Sequence, residues 1–240
     1  MTNKQEKILA REELILEVAK QKISSEGFFN LRMSDVAKEA KISVGTLYTH
    51  FVSKEDLMVG VAICLLKKRE EVFRRAGEVF EDPVHRIIGL IMGDYLMNRA
   101  HGELAEVESL TLFPSVWKRA SQLRTMQQNL LCESIGELVH GFISETLQNN
   151  ELFDEVMEPE VLAQTLNLSL WGVCIGLHQV FNSFCMQNKT IYQDIDEEEI
   201  YLKCLSSLLK GFGCRRDFVP GELRGVSTIL KEKTKDLIGA

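Results

Sequence analysis

Only four of the 240 residues are prolines (Pro83, Pro114, Pro159 and Pro220), so long stretches lack the residue that most strongly breaks helices. No Asn-Gly hairpin signal occurs, and apolar residues recur in steps of three and four rather than alternating, which argues against a sheet. No apolar run approaches the roughly 18 residues that a bilayer span needs. The opening Met1-Thr2-Asn3-Lys4-Gln5-Glu6-Lys7 has no apolar signal-peptide core, so we expect a cytoplasmic protein with no membrane partner.

Reactive constellations are scarce too. Six cysteines (Cys64, Cys132, Cys174, Cys185, Cys204, Cys214) are scattered without a Cys-x-x-Cys pair. They are expected as free, mostly buried thiols rather than a disulfide framework. The histidines (His50, His85, His101, His140, His178) show no metal-ligand spacing. The most metal-like group, His101 with Glu103 and Glu106, reads more simply as a solvated helix start. There is no Walker loop, nucleotide fingerprint or Gly-x-Ser-x-Gly elbow. These absences lead us to expect no enzyme, no cofactor and no metal.

Positive charge is in short supply as well: 28 Lys+Arg stand against 35 Asp+Glu, a net of -7. Taken whole, that balance argues against a nucleic-acid partner. Divided along the chain it does not, because residues 1–75 carry a net +3 and residues 76–240 a net -10. Lys4, Lys7, Arg11, Lys41 and Lys54 are available in the first part.

What is present is helical. With 45% apolar and 26% charged residues the chain can fold as a globule. Leu14, Ile15, Val18, Ala19 and Ile23 form one helical face that ends at Gly27. Ser53 before Lys54-Glu55-Asp56 is a capping-box-like start for a helix to about Arg75. Pro83 opens another, and further helices are predicted at about Ala105–Leu112, Val116–Gln148, Pro159–Phe184 and Glu197–Phe212. Glu197-Glu198-Glu199 suits a helix start, where acids favour the dipole. The tail beyond Gly213 reads equally as a last helix over Glu222–Leu237 or as a loosely docked terminus. The expected fold class is all-α.

The stretch Met33–Phe51 is the most informative. Ser34 can cap a short helix whose apolar residues are Val36, Ala37 and Ala40. Lys41-Ile42 forms a tight turn, and Ser43 caps a second short helix in which Leu47 and Phe51 share a face. Two short helices joined so briefly must cross steeply, as in a helix-turn-helix or a purely structural helical hairpin. The outward face of the second helix shows Val44, Gly45, Thr46, Tyr48, Thr49 and His50, with no acid. Small and hydroxylic groups of this kind suit the major groove.

Over about Ile8–Leu66 the chain resembles the N-terminal domain of the TetR/AcrR family of bacterial transcription regulators. The resemblance lies in Ile15-Leu16-Glu17-Val18-Ala19, Gly27-Phe28, Met33–Ala40, Ser43–Phe51 and Ser53-Lys54-Glu55-Asp56-Leu57. It implies that Ser34 binds a phosphate and that Ser43 begins the recognition helix. It further implies that Val44, Gly45 and Thr46 face bases, with Thr49 as a further candidate. Tyr48 and His50 would contact the DNA backbone, and Lys54 another phosphate. Lys41 departs from the family's usual glycine, and a left-handed backbone there would cost a non-glycine residue about 1 kcal/mol.

The resemblance also implies two domains: a three-helix DNA-binding domain over residues 8–68 and a helical effector and dimerisation domain over 76–213, followed by the tail 214–240. Pro159–Phe184 carries two apolar stripes, and its small-residue strip of Thr165, Ser169, Gly172 and Gly176 permits close helix contact. Leu166, Leu170, Val173, Leu177, Phe181 and Phe184, with Leu205 and Leu209, are the candidate homodimer residues. Candidate effector-lining residues are Ile91, Tyr95, Leu110, Phe113, Trp117, Met126, Leu130, Ile135 and Trp171, with His140 or His178 as a polar handle. Ordinary core packing is the simpler reading of each of them. The resulting expectation is a ligand-responsive repressor that binds pseudo-palindromic operator DNA as a homodimer and is released by a small lipophilic effector. An all-helical small-molecule-binding enzyme and a helical protein-interaction adaptor are the alternatives.

Overall fold

The computed structural model describes residues 3–152, 157–183 and 195–239. Among the described residues all regular structure is helical. The elements are α1 (Asn3–Glu26), a 3-10 turn (Phe28–Asn30), α2 (Met33–Glu39), α3 (Val44–His50), α4 (Lys54–Val79) and α5 (Pro83–Leu110). They continue with α6 (Pro114–Trp117), α7 (Gln122–Gln148), α8 (Pro159–Phe181), α9 (Glu197–Gly211), α10 (Pro220–Lys233) and α11 (Lys235–Ile238).

The chain forms two compact units, and the division is not linear. The first contains Met1–Lys68 and His101–Cys132; the second contains Arg69–Ala100 and Glu133–Ala240. Residues 101–132, expected within the effector domain, therefore pack with the N-terminal helices.

The core of the first unit follows from the helical stripes. Ile15, Val18, Ala19 and Ile23 of α1 meet Val36 and Ala37 of α2, Leu47 of α3, Phe51, and Leu57, Met58 and Val61 of α4, with Val107 of α5. Burying each large apolar side chain among these stabilises the unit by about 1.5–3 kcal/mol. Leu14, read as part of the same face, is exposed, because it lies at the edge of the stripe and α2 and α3 cover only its centre.

The turn between α2 and α3 is a Schellman motif. The Ile42 amide donates to the Ala37 carbonyl at 3.0 Å and the Lys41 amide to the Lys38 carbonyl at 3.2 Å, which forces Lys41 to φ 55°. Lysine occupies the position where glycine is favoured on steric grounds. Lys41→Gly should therefore raise stability by about 0.5–1 kcal/mol, the relief of Cβ strain exceeding the entropy cost of glycine. A urea midpoint that stays or falls would contradict this, with Lys41→Ala as the control that removes the charge and keeps the Cβ.

At the other end of α2 the expected cap is displaced. The N-cap is Arg32 without a side-chain hydrogen bond, and Ser34 lies inside the first turn with its Oγ 3.4 Å from Asp35 Oδ1. Ser43 does cap α3, accepting from the Thr46 amide at 3.0 Å. Ser53 caps α4 by accepting from the Asp56 amide at 2.9 Å.

Two helix boundaries differ from the periodicity. The helix expected from Pro83 and the one expected over Ala105–Leu112 form a single helix, Pro83–Leu110, bent at Gly102, whose φ of 32° and ψ of -103° are open to glycine alone among common residues. The expected helix Val116–Gln148 is broken between Trp117 and Gln122, where the amide and hydroxyl of Ser121 turn to the Asp56 carboxylate.

In the second unit Val72, Phe73, Ile87, Ile91, Ile143, Leu162, Leu166, Leu170, Leu202, Leu205 and Leu209 are buried. The tail forms a docked helix: Leu223, Val226 and Leu230 are buried. Arg75 holds its end through Asp236 Oδ2 at 2.8 Å and the Lys233 carbonyl at 3.0 Å. Cys174 and Cys214 are buried, Cys64 and Cys204 are half-buried, and Cys132 is exposed. Cys185 lies outside the described residues.

α8 is apolar enough, with a mean hydropathy of 1.3 over an 18-residue window, to pass a bilayer-length test that the simple run of residues did not suggest. Only 28% of that stretch is buried. Much of its apolar surface therefore faces outward within a single copy of the chain.

Candidate nucleic-acid interface

α3 presents Val44, Gly45, Tyr48 and Thr49 outward, while Leu47 and Phe51 are fully buried beneath it. A Cβ built on Gly45 would meet nothing closer than Ser43 Oγ at 3.8 Å. Its lack of a side chain therefore serves the outer surface and not the protein's own packing. The hydroxyls around it are already ordered. Ser43 Oγ lies 2.8 Å from Thr46 Oγ1, and Thr49 Oγ1 donates to the Thr46 carbonyl at 2.6 Å. Ser43 thus builds the helix start and has little left to offer a ligand.

The remaining candidates divide. Lys54 Nζ sits 4.2 Å from the centre of the Phe28 ring and donates to the Phe29 carbonyl at 3.4 Å. It is thereby held at the start of α4, and partial burial lowers its pKa from the ordinary lysine value. Ser34 is exposed at the first turn of α2. His50 is turned inward: its side chain is 7% exposed and its Nδ1 lies 3.4 Å from Glu12 Oε1 of α1. His50, expected as a DNA-backbone contact, therefore has its Nδ1 directed to Glu12.

Beneath α3 lies a polar network with no signature in the local sequence. Asp56, 1% exposed, accepts from the Val52 amide at 3.0 Å, the Ser121 amide at 2.9 Å and Ser121 Oγ at 2.7 Å. Arg124 of α7 donates to Glu12 at 3.0 Å, has its Nε 3.9 Å from Asp56, and lays its guanidinium 4.2 Å from the centre of the Phe51 ring. The end of the outward-facing helix is therefore fixed by residues from α1, α4 and α7 together. Sequence reasoning missed Arg124 and Ser121 because their partners are 65 to 112 positions away.

Residues 15–61 match the family model described as "Bacterial regulatory proteins, tetR family". The N-terminal helices thus carry a tetR-type domain match over residues 15–61. The match falls on the helices just described, from the buried stripe of α1 to the first turns of α4. The chain is 34% identical over 83 residues to the HTH-type transcriptional regulator UidR of Escherichia coli (strain K12), covering 35% of this chain and 37% of UidR. It is 25% identical over 142 residues to the uncharacterized HTH-type transcriptional regulator YhgD of Bacillus subtilis (strain 168), covering 58% of this chain and 68% of YhgD. The structure of AibR in complex with isovaleryl coenzyme A and operator DNA superposes with a TM-score of 0.56 at 18% identity, over 83% of this chain and 98% of AibR. That likeness shows a common fold. The chain spans just over a third of the length of UidR.

The second unit holds a different polar group. Arg69 and Asp94 form a buried ion pair. Asn98 closes it, accepting from Arg69 at 3.1 Å and donating to Asp94 at 3.0 Å. Cys174, His178 and Tyr201 lie within its electrostatic reach: burial pushes the Cys174 thiol and the Tyr201 hydroxyl up and the His178 imidazole down. Tyr95 packs 4.8 Å from Tyr201, and Trp171 packs 6.3 Å from Phe73.

Of the proposed effector-lining residues, Ile91, Tyr95, Ile135, His140, Trp171 and His178 belong to this second unit. Leu110, Phe113, Trp117, Met126 and Leu130 belong to the first, and all of these but Leu110 are exposed. Of the candidate dimer residues, Leu166, Leu170, Leu205 and Leu209 are buried within one copy and have no surface left for a second. Val173, Leu177 and Phe181 are half-buried, and Phe184 lies outside the described residues. The exposed stripe of α8 is instead Val161, Leu168 and Ile175, with Gly172 open beside it.

Proposed function

We propose that the protein is a ligand-responsive transcription regulator, a repressor that reads a pseudo-palindromic operator as a homodimer. The observation that carries this reading is the outward face of α3: Gly45 without a packing role, flanked by exposed Val44 and Tyr48, on a helix whose opposite face is fully buried. Such a face admits close approach of the backbone to base edges, while Tyr48, Lys54 and Ser34 reach phosphates. The exposed α8 stripe of Val161, Leu168 and Ile175, 74% exposed at Leu168, supports pairing with a second copy, since an apolar face of that size gains by leaving water. The second unit, with Tyr95, Trp171, His178 and the Arg69–Asp94–Asn98 group, supports an effector site of mixed apolar and polar character. AibR, named with both an acyl-coenzyme A and operator DNA, offers a precedent on the same fold. An effector lowers DNA affinity by as much as it prefers the DNA-incompetent state.

The test begins with selection of bound duplexes from a random pool by the purified protein, followed by titration of the selected site at fixed salt. Tyr48→Ala should weaken binding by about tenfold, the worth of one lost hydrogen bond to a charged group, while the sedimenting species and melting temperature stay unchanged. Unaltered affinity would show that α3 does not dock as described, and failure to enrich any duplex would remove the DNA-binding reading altogether.

A further inference from the structure

The inward stripe of α1 changes character along its length. From Ile15 onward it is Ile15, Val18, Ala19 and Ile23, all buried in the core of the first unit. Continued toward the N-terminus at the same helical spacing, the same stripe is Lys4, Lys7, Ile8 and Arg11. These four are exposed and together line a shallow open groove. The first turns of α1 thus run past the core they belong to, and the face that elsewhere meets apolar neighbours is cationic. Further along α1, Lys20 is paired with Glu17, and Lys22 with Glu26 and Glu39. Among the described residues Lys4, Lys7 and Arg11 have no carboxylate within ion-pair distance, although Glu6, Glu12 and Glu13 are near in sequence.

The position of this face is fixed by Glu12, one residue beyond Arg11, whose carboxylate lies 3.4 Å from His50 at the C-terminal end of α3. Lys4 is eight residues before Glu12, about 12 Å along the helix axis. The cationic stripe therefore begins beside the C-terminal end of α3 and runs back along α1 from there. Three cations spaced over two turns, left without internal partners beside a helix that enters a groove, match the regularly spaced charges of a nucleic-acid backbone. Resting on the reading of α3 given above, we infer that the first turns of α1 form a second phosphate-contact surface, in which Lys4, Lys7 and Arg11 grip the backbone of the duplex flanking the bases read by α3. Ile8 would pack against sugar carbons between them.

Contacts of this kind carry no sequence information, so their signature is electrostatic. Each neutralised phosphate contributes about -0.9 to the slope of log K against log salt. In the full chain, the triple variant Lys4→Gln, Lys7→Gln, Arg11→Gln should flatten that slope by about 2 to 3 per protomer. The change should appear on both the selected duplex and an unrelated one, with the ranking of base preferences intact. Glutamine keeps helix propensity close to that of the residues replaced, and an unchanged melting temperature verifies the fold. The charge-preserving variant Lys4→Arg, Lys7→Arg should retain the wild-type slope. If the wild-type chain binds duplex and the triple variant leaves the slope unchanged, this inference falls and the α3 reading stands. If the wild-type chain binds no duplex, both fall. Binding of phosphatidylglycerol vesicles that the triple variant abolishes, with the DNA slope unmoved, would assign the stripe to a membrane surface and overturn the inference.

Discussion

Asp56→Ala is expected to destabilise the protein by about 3–5 kcal/mol, the cost of removing one partner from a buried, hydrogen-bonded charged group. Three donors at the buried carboxylate, the Val52 amide, the Ser121 amide and Ser121 Oγ, would lose their acceptor at once. Arg124, itself nearly buried, would lose the Asp56 charge and keep Glu12 as its ion-pair partner. Alanine cannot supply an acceptor, and the space it leaves is too enclosed for water to replace all three hydrogen bonds cheaply. Asp56→Asn should fall between the two, since one carboxamide oxygen can still accept while the charge facing Arg124 is gone. In a thermal unfolding experiment the alanine variant should melt about 10 °C lower, taking roughly 2–4 °C per kcal/mol for a chain of this size. A shift of under 2 °C would mean that the Asp56–Ser121 connection does not hold α7 to the helix-turn-helix. DNA binding should fail together with stability, because the end of α3 rests on the same network.

The second large effect should have the opposite relation to stability. Gly45→Leu adds a Cβ that meets only Ser43 Oγ, at an unstrained 3.8 Å, and glycine inside a helix costs about 0.8–1 kcal/mol relative to good helix formers. The variant should therefore be as stable as the parent or slightly more so. Its affinity for the selected duplex should nevertheless drop by about 100-fold or more, because the leucine holds α3 away from base edges worth about 1–3 kcal/mol each. Non-specific binding, carried by phosphates, should change far less. Titrations of the selected and an unrelated duplex at one salt concentration separate the two terms. Equal loss on both would point to a folding defect, and retained affinity would place the major groove elsewhere on the molecule.

These two residues illustrate what could be read from sequence and what could not. The outward character of Gly45 and the inward character of Leu47 and Phe51 follow from helical spacing within one short segment. The same holds for the Ser43 cap and for the left-handed turn at Lys41, where backbone sterics and hydrogen bonding act over a few residues. The Asp56 network is different. Ser53 and Asp56 announced a helix start, but the carboxylate's main partners come from Ser121, 65 positions later. Spacing also placed Leu166, Leu170, Leu205 and Leu209 on apolar stripes without deciding whether a stripe is covered by its own chain or by another copy. In the structure the protomer buries those four and leaves Val161, Leu168 and Ile175 outside.

The all-helical class, the helix-turn-helix and its outward-facing surface were determined by the sequence alone, because scarce proline, helical periodicity and capping residues act locally. The tertiary structure decided which helices share a core. It drew residues 101–132 into the first unit, turned His50 inward against Glu12, and docked the tail through Leu223, Val226 and Leu230. The physical reason is common to all three. Burial and ion pairing join groups that are remote along the chain, and no local pattern records which apolar face or which charge will be the partner.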